Sequence, residues 1–212
     1  APRSRWRRVV LDGLVATALA SAVFFCCLTL AIAFDRAGVN DQWNVVFDAD
    51  PNKRIGAMAD GWGVYGRNVA HPNLSNLLNP PIRVLGRTVA VITGEEAQSV
   101  RRSITIGLAP LAASLQIAVL YFLLLRWTAD RPTTIALAAV AAVSWSTLVF
   151  GSIPDHFVLS GLALSSALLL ASAPWRGRAS WTAWTAIGVF TVGVTLTNLV
   201  PLAWVLLTTL VA

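Results

Sequence analysis

The chain has 212 residues, of which 56% are hydrophobic and only 12% charged, and its mean hydropathy is +0.67. Soluble domains carry about 25% charged residues, and a small domain leaves much of its surface facing water. These values exclude a soluble enzyme, and the two cysteines and low polar content exclude a disulfide-rich secreted module and a disordered regulator. We therefore expect an all-α protein, a polytopic bundle of transmembrane helices.

The formal net charge is +6, which in a soluble protein would favour nucleic-acid binding. Here the basic residues lie in short segments between apolar runs, where positive charge sets the orientation in the membrane. We expect membrane lipid as a partner and no nucleic acid. The sequence begins at Ala1 and ends inside an apolar run at Ala212, so we expect residues 1–212 to form a single transmembrane domain that continues past its C-terminus.

Six apolar segments are candidate membrane spans, because about 20 helical residues cross a hydrocarbon core. They cover Leu14–Phe34, Ile104–Leu125, Thr133–Phe150, Phe157–Ala173, Trp181–Asn198 and Leu202–Ala212. Pro201 is expected to break the chain between the last two. Arginines cluster before the first span and recur after the second and fourth, so the positive-inside rule places the N-terminus in the cytoplasm. We expect a multi-pass protein of the inner (plasma) membrane.

On this topology residues 35–103 lie outside the cytoplasm, and they are far too many for an ordinary connecting loop. We expect an embedded subdomain with short interfacial helices. One helical stripe begins after Pro80-Pro81, with Asn79 as its predicted N-cap. We expect this helix to lie flat on the membrane through its apolar side chains. The stripe consists of Ile82, Leu85, Val89 and Ile92.

A cluster of two aspartates and two basic residues lies early in this outer segment, over residues 48–54. Asp48 and Asp50 supply carboxylates that suit a general base, and Arg54 offers a planar fork for a phosphate. Asp50-Pro51 is equally the pattern of a helix N-cap followed by a first-turn proline. Both interpretations, chemistry and capping, remain open from the sequence.

Two histidines lie in predicted outer loops. His71 is suited to acid–base work or phosphate contact near neutral pH, or to a local hydrogen bond. Asp155 and His156 lie at the mouth between the third and fourth spans, where ionisable groups need water or a polar substrate. Ser152 and Asp155 also have the spacing of a capping box. If Asp50 and Asp155 serve one reaction, the outer segment must fold back over this mouth.

Together these features resemble the type-C glycosyltransferase superfamily of integral membrane enzymes. An arginine-flanked first span leads into a long outer loop that opens with acidic residues, and several short-looped spans follow. More narrowly, three short motifs are similar to those of bacterial membrane proteins related to that superfamily. The motifs are Phe47–Pro51, His71-Pro72 with Asn79-Pro80, and Ile153–His156.

The resemblance implies transfer of a sugar from a polyprenyl-phosphate donor to an acceptor hydroxyl at the extracytoplasmic face. It implies Asp50 or Asp48 as the base that activates the acceptor, which stays unknown. Arg54, His71 and Arg67 would then lie near the lipid phosphate, and Asp155 and His156 would shape a substrate pocket. Some members need a divalent cation, for which Asp48 and Asp50 could together form a site. The sequence shows no zinc-ligand spacing, and it leaves the cofactor unknown.

Two other classes stay open. A small-solute transporter would place polar or helix-breaking residues near the membrane midplane, and Pro110, Gln116, Gly188 and Gly193 are the candidates. A structural or assembly subunit without catalysis would require no particular constellation of residues.

Overall fold

The structure, a computed structural model, describes residues 2–42, 45, 50–60, 74–128, 130–172 and 178–211. Of residues 2–5, 74–75, 178–180 and 209–211 it describes the backbone alone. Regular structure in these ranges is entirely helical, as the composition predicts. The α-helices are α1 (Pro2–Arg36), α2 (Pro51–Ile55), α3 (Leu74–Thr93), α4 (Ala97–Thr128), α5 (Arg131–Ala142), α6 (Trp145–Phe150), α7 (His156–Ala171), α8 (Arg178–Val194) and α9 (Leu199–Val211).

Two of the described helices are long and apolar enough to cross a membrane, over Trp6–Arg36 and Ala97–Thr128. Three shorter apolar helices accompany them, over His156–Ala171, Trp181–Val194 and Leu196–Thr208. Large apolar side chains on α1 and α4, among them Phe25 and Leu115, are exposed. Such a surface is typical of helices that contact lipid or another protein. Length and exposure therefore both agree with a membrane protein.

Helices α1 and α4 run antiparallel at the centre of the fold. Tyr121 near the end of α4 donates a hydrogen bond to Asp12 on α1, and Arg102 near its start pairs with Asp35 at the other end of α1. Alanines on α4 let neighbouring helices approach closely. The largest core cluster draws on α1, α4, α5, α7 and α8; it consists of Val23, Cys27, Ala109, Ala112, Ala113, Ile117, Ala142, Val158, Leu159 and Val194.

The predicted third span is not one helix. The chain breaks between α5 and α6, where the Ser144 hydroxyl donates to the Ala141 carbonyl and accepts the Thr147 N–H. Serine competes with helical hydrogen bonding in this way, and here it caps a new helix. The continuous prediction over Thr133–Phe150 is therefore wrong at this point.

The predicted fifth span also ends early. Helix α8 stops at Val194, a 3-10 turn covers Leu196–Asn198, and α9 begins at Leu199. The buried Asn198 amide donates to the Thr191 carbonyl, which also accepts the Thr195 N–H at 3.4 Å, and so adds a second hydrogen bond at the end of the interrupted helix. Pro201 is not the break but lies in the first turn of α9, a position that proline tolerates.

Helices α3 and α4 form a hairpin around Gly94, which has a φ of +75°. Gly86 packs so closely on α4 that an added Cβ would lie 2.3 Å from Arg101 Cγ. Helix α3 thus lies along α4, and it begins before Asn79, which is no N-cap but donates its amide to the Met58 carbonyl. The predicted stripe is not one contact face, because Ile82 is buried whereas Leu85, Val89 and Ile92 are exposed.

Candidate functional site

The turn between α6 and α7 lies well below one end of the bundle. A Cβ added at Gly151 would lie 2.8 Å from Cys27 Sγ and from Ala113 Cβ. Cys27 is eight residues before Asp35 on α1, and a helix rises about 1.5 Å per residue. The turn is therefore roughly 12 Å deeper than the Asp35–Arg102 pair that marks this end of α1 and α4.

Residues 50–60, which we call the covering segment, fill the space above this turn. Pro51 and Arg54–Ala59 are buried, and Ile55 and Ala59 pack on Ala31 of α1 and Ile106 of α4. The segment consists of α2 followed by a π-helical turn over Gly56–Asp60. Irregular backbone at this depth is tolerated where protein surrounds it.

Asp155 is the centre of the contact between the covering segment and the turn. Its carboxylate accepts hydrogen bonds from Arg54 Nε at 3.2 Å and from the Asp50 backbone N–H at 3.1 Å. The backbone N–H of His156 also donates to it, and His156 Nδ1 lies within hydrogen-bond distance. We call Asp50, Arg54, Asp155 and His156 the recessed cluster. The expected contact between the outer segment and this mouth is present.

The Asp155 side chain is only 2% exposed. Burial alone would raise the pKa of its carboxyl, but hydrogen bonds from His156 and the nearby charges of His156 and Arg54 outweigh it and hold the pKa below its ordinary value. The carboxylate is therefore ionised at neutral pH. Its partners already occupy its oxygens, so it holds the cluster together.

Arg54 is fixed by this interaction through Nε alone. Its side chain is 10% exposed, and its terminal guanidinium nitrogens make no hydrogen bond within the described ranges. A guanidinium that is held at Nε and open at both Nη atoms retains the planar fork that binds phosphate.

Asp50 stands at the N-cap position of α2, with Pro51 in the first turn, as the sequence predicts. Its side chain makes no capping hydrogen bond to that helix. Capping therefore does not account for this half-buried carboxylate, although its position before Pro51 is that of a cap.

The capping box predicted for α7 is replaced by a different arrangement. Asp155 itself is the N-cap and accepts from His156 N, whereas the Ser152 hydroxyl donates back to the Leu148 carbonyl. The His156 ring is largely buried and lies 4.2 Å from the Phe157 ring, centroid to centroid. Asp155 thus acts as a cap and as the anchor of the covering segment.

Three of the predicted site residues, Asp48, Arg67 and His71, lie outside the described residues. The described part of the chain contains no group of three or more His, Cys, Asp or Glu side chains suited to a metal. The structure brings together the other four predicted residues, which form the recessed cluster.

Ion pairs elsewhere were missed from the sequence. Arg102 donates to both Asp35 (2.8 Å) and Asp41 (2.9 Å), which joins the end of α1 to the start of α4. At the opposite end Arg131 holds Asp12 through two hydrogen bonds. The sequence shows opposite charges beside the apolar runs, and these could have indicated ion pairs. Which charges pair, however, depends on which helices are neighbours in the fold.

No family model matches this chain, and no similar curated protein or solved structure was found.

Proposed function

We propose that the chain is a multi-pass inner-membrane protein of about six membrane segments, with its N-terminus in the cytoplasm and the recessed cluster facing the extracytoplasmic side. The basic residues near the N-terminus, at Arg126 and Arg131, and at Arg176 and Arg178 support this orientation. Helix α6, which follows the break at Ser144, has only six residues and suits a membrane segment that reaches part of the way across the bilayer.

Cysteine labelling tests the orientation. In a protein lacking Cys26 and Cys27, Glu95→Cys at the tip of the α3–α4 hairpin should react with a membrane-impermeant maleimide in intact cells. Asp130→Cys, which is also exposed, should react only after lysis. The reverse pattern of labelling would refute the orientation.

We infer a glycosyltransferase-like activity in which a sugar moves from a polyprenyl-phosphate donor to an acceptor hydroxyl that stays unidentified. One observation supports it above the others: a half-buried carboxylate, Asp50, and an arginine whose Nη atoms make no hydrogen bond to the described residues, Arg54, are held in one recessed cluster. A base and a phosphate-binding cation are the two groups that this transfer requires.

In the proposed reaction the acceptor oxygen attacks the anomeric carbon, and the bond from that carbon to the phosphate oxygen breaks. The acceptor proton passes to the Asp50 carboxylate, and the electron pair leaves on the lipid phosphate. The Nη atoms of Arg54 stabilise the phosphate charge as it develops. Asp155 is a positioning residue here, because its buried carboxylate orients Arg54 and the Asp50 backbone.

These steps are written without a divalent cation. Among the described residues Asp155 already has partners at both carboxylate oxygens, and no group of three or more His, Cys, Asp or Glu side chains suited to a metal is present. The proposal keeps three residues that were predicted from the sequence alone. Asp48 is the alternative base, and His71 and Arg67 lie near the phosphate.

Reconstituted full-length protein tests the activity. With a radiolabelled polyprenyl-phosphate sugar in proteoliposomes, Asp50→Asn should abolish release of the lipid phosphate while the protein keeps its elution profile. Asp41→Asn is the matched control, since Asp41 is an exposed aspartate in the same segment that pairs with Arg102. Equal turnover in Asp50→Asn and the wild type would remove Asp50 as the base.

The interrupted helices favour a second candidate, a small-solute transporter. Breaks at Ser144 and at Thr195–Asn198 place polar groups between helical segments, as discontinuous helices do in transporters. Uptake of solute into vesicles that hold no sugar-lipid donor would favour this candidate over transfer.

A further inference from the structure

A cavity of about 280 Å³ lies between α4, α6 and α7, next to the recessed cluster. Gln116 of α4, Thr147 and Phe150 of α6, and Phe157 and Gly161 of α7 line it. Phe157 follows His156 directly in sequence, so one wall of the cavity adjoins the cluster. Since a water molecule occupies about 30 Å³, the cavity has room for one small ring rather than a single solvent molecule.

Gln116 is the polar group that the fold leaves without a partner in this cavity. Its amide makes no hydrogen bond with the described residues, although it lies fourteen residues from Arg102 along α4, roughly 21 Å by helical rise. Gly161 makes room for it, because a Cβ there would lie 2.7 Å from Gln116 Nε2. A polar amide at such depth is costly unless a ligand or water hydrogen-bonds to it.

The remaining walls combine apolar rings with hydroxyls. The Phe150 and Phe157 rings lie 4.8 Å apart, centroid to centroid. The Thr147 hydroxyl already donates to the Ala141 carbonyl and accepts from Ser144, and the Ser146 hydroxyl lies 3.2 Å from that of Ser144. Ser146 is exposed, which gives the cavity an accessible edge at α6. Aromatic rings beside the Gln116 amide suit a neutral molecule that has both an apolar face and hydroxyls.

We propose that this cavity binds the sugar ring of a membrane glycolipid, with Gln116 as the residue that recognises its hydroxyls and the lipid chain leaving sideways past α6. This inference rests on the proposed function, because it assigns a sugar subsite beside the base and the phosphate-binding arginine. It concerns binding and not transfer, so the two are tested separately.

Photo-crosslinking with a defined probe tests the subsite. Protein in lipid nanodiscs is irradiated with an alkyl glucoside that carries a diazirine in its alkyl chain, and labelled peptides are mapped by mass spectrometry. The alcohol of the same chain length and diazirine position is the control probe. The glucoside should label residues 145–161 preferentially, whereas the alcohol should label the apolar surface without preference.

Variants then separate the outcomes. Gln116→Leu should lower the specific labelling about fivefold, the loss of one hydrogen bond, while Gln98→Leu on an exposed turn of the same helix should leave it unchanged. Gly161→Ala, which displaces the amide, should act like Gln116→Leu. Equal labelling by both probes, or labelling that neither cavity variant lowers, would overturn the subsite.

Asp50→Asn distinguishes this inference from the proposed activity. Labelling should persist in Asp50→Asn, because the carboxylate is not part of the cavity wall that we assign to the sugar. Persistent labelling together with unaltered transfer would refute the assigned base but keep the subsite. Loss of labelling in Asp50→Asn would overturn the separate subsite.

Discussion

An aspartate that binds an arginine from a distant segment stabilises each end of the bundle, but the two pairs have different surroundings. At one end Asp12 accepts from Arg131 and from Tyr121, so helices α1, α4 and α5 are joined directly. At the other end Asp155 stands in a recessed turn, and its arginine comes from the five-residue helix α2.

Exposure separates the two pairs further. The Arg131 side chain is 32% exposed, whereas the Arg54 side chain is 10% exposed and Asp155 only 2%. Water can replace Asp12 around Arg131 but not Asp155 around Arg54. The first pair therefore fixes helices that would pack anyway, and the second is required to keep a short polar segment inside the bundle.

The largest expected effect is the loss of Asp155. Asp155→Ala leaves the Arg54 charge buried and unpaired and should cost about 3–5 kcal/mol of unfolding free energy. Asp12→Ala should cost clearly less, because Arg131 regains water. Thermal unfolding in detergent compares them. The double variant Arg54→Leu/Asp155→Leu should recover much of the loss, and equal losses in the two single variants would contradict the contrast between the ends.

Glycines provide the next comparison. Gly151→Ala places a methyl group 2.4 Å from the Thr147 carbonyl oxygen and against α1 and α4, and should cost about 1–3 kcal/mol. Gly13→Ala, next to Asp12, meets no atom within 4 Å and should stabilise α1 by up to about 1 kcal/mol. Thermal unfolding measures both effects, and the midpoint should fall in Gly151→Ala and rise in Gly13→Ala. An unchanged midpoint in Gly151→Ala would mean that the turn is not packed against α1 and α4.

Much of the helical architecture follows from the sequence, because apolar runs and flanking arginines locate α1, α4 and α7. The breaks at Ser144 and Thr195 do not, since both lie inside apolar runs of helical length. There a hydroxyl or an amide hydrogen-bonds to a backbone carbonyl at the end of the interrupted helix. Whether a given serine or asparagine interrupts a helix depends on how its side chain packs in the fold and not on the apolar sequence around it.

Four of the predicted site residues are in contact in the structure, but the sequence does not predict the geometry of that contact. Asp50, Arg54, Asp155 and His156 follow from polar residues concentrated on one side of the predicted topology. The sequence does not show that Asp155 is the buried partner, because its burial depends on how the Gly151 turn packs on α1 and α4 and on the covering segment that contacts it. The sequence singles out Gln116 only as a polar residue near the membrane midplane, and the cavity beside Gly161 becomes known from the structure.

The fall in stability at low pH should depend on the ionisation of the Asp155 carboxyl. Because folding lowers the pKa of the Asp155 carboxyl, its contribution is fully present above the unfolded value of about 3.9 and is lost as the pH falls through the lower folded value. Unfolding midpoints measured from pH 6 down to about pH 3 should therefore fall less steeply in Asp155→Asn than in the wild type. Parallel curves would show that Asp155 does not carry this dependence.

The smallest effect distinguishes a cap from a site residue. Asp130 caps α5 at the Asp12 end by accepting the Thr133 N–H, so Asp130→Ala should lower the unfolding midpoint, though less than Gly151→Ala does. Asp50 holds the same position before α2 but makes no capping bond, and its backbone N–H bond to Asp155 survives any side-chain change. Asp50→Asn should therefore shift the midpoint less than Asp130→Ala while abolishing sugar transfer. If the order of the two midpoint shifts is reversed and transfer persists, Asp50 is a structural residue and the recessed cluster lacks its base.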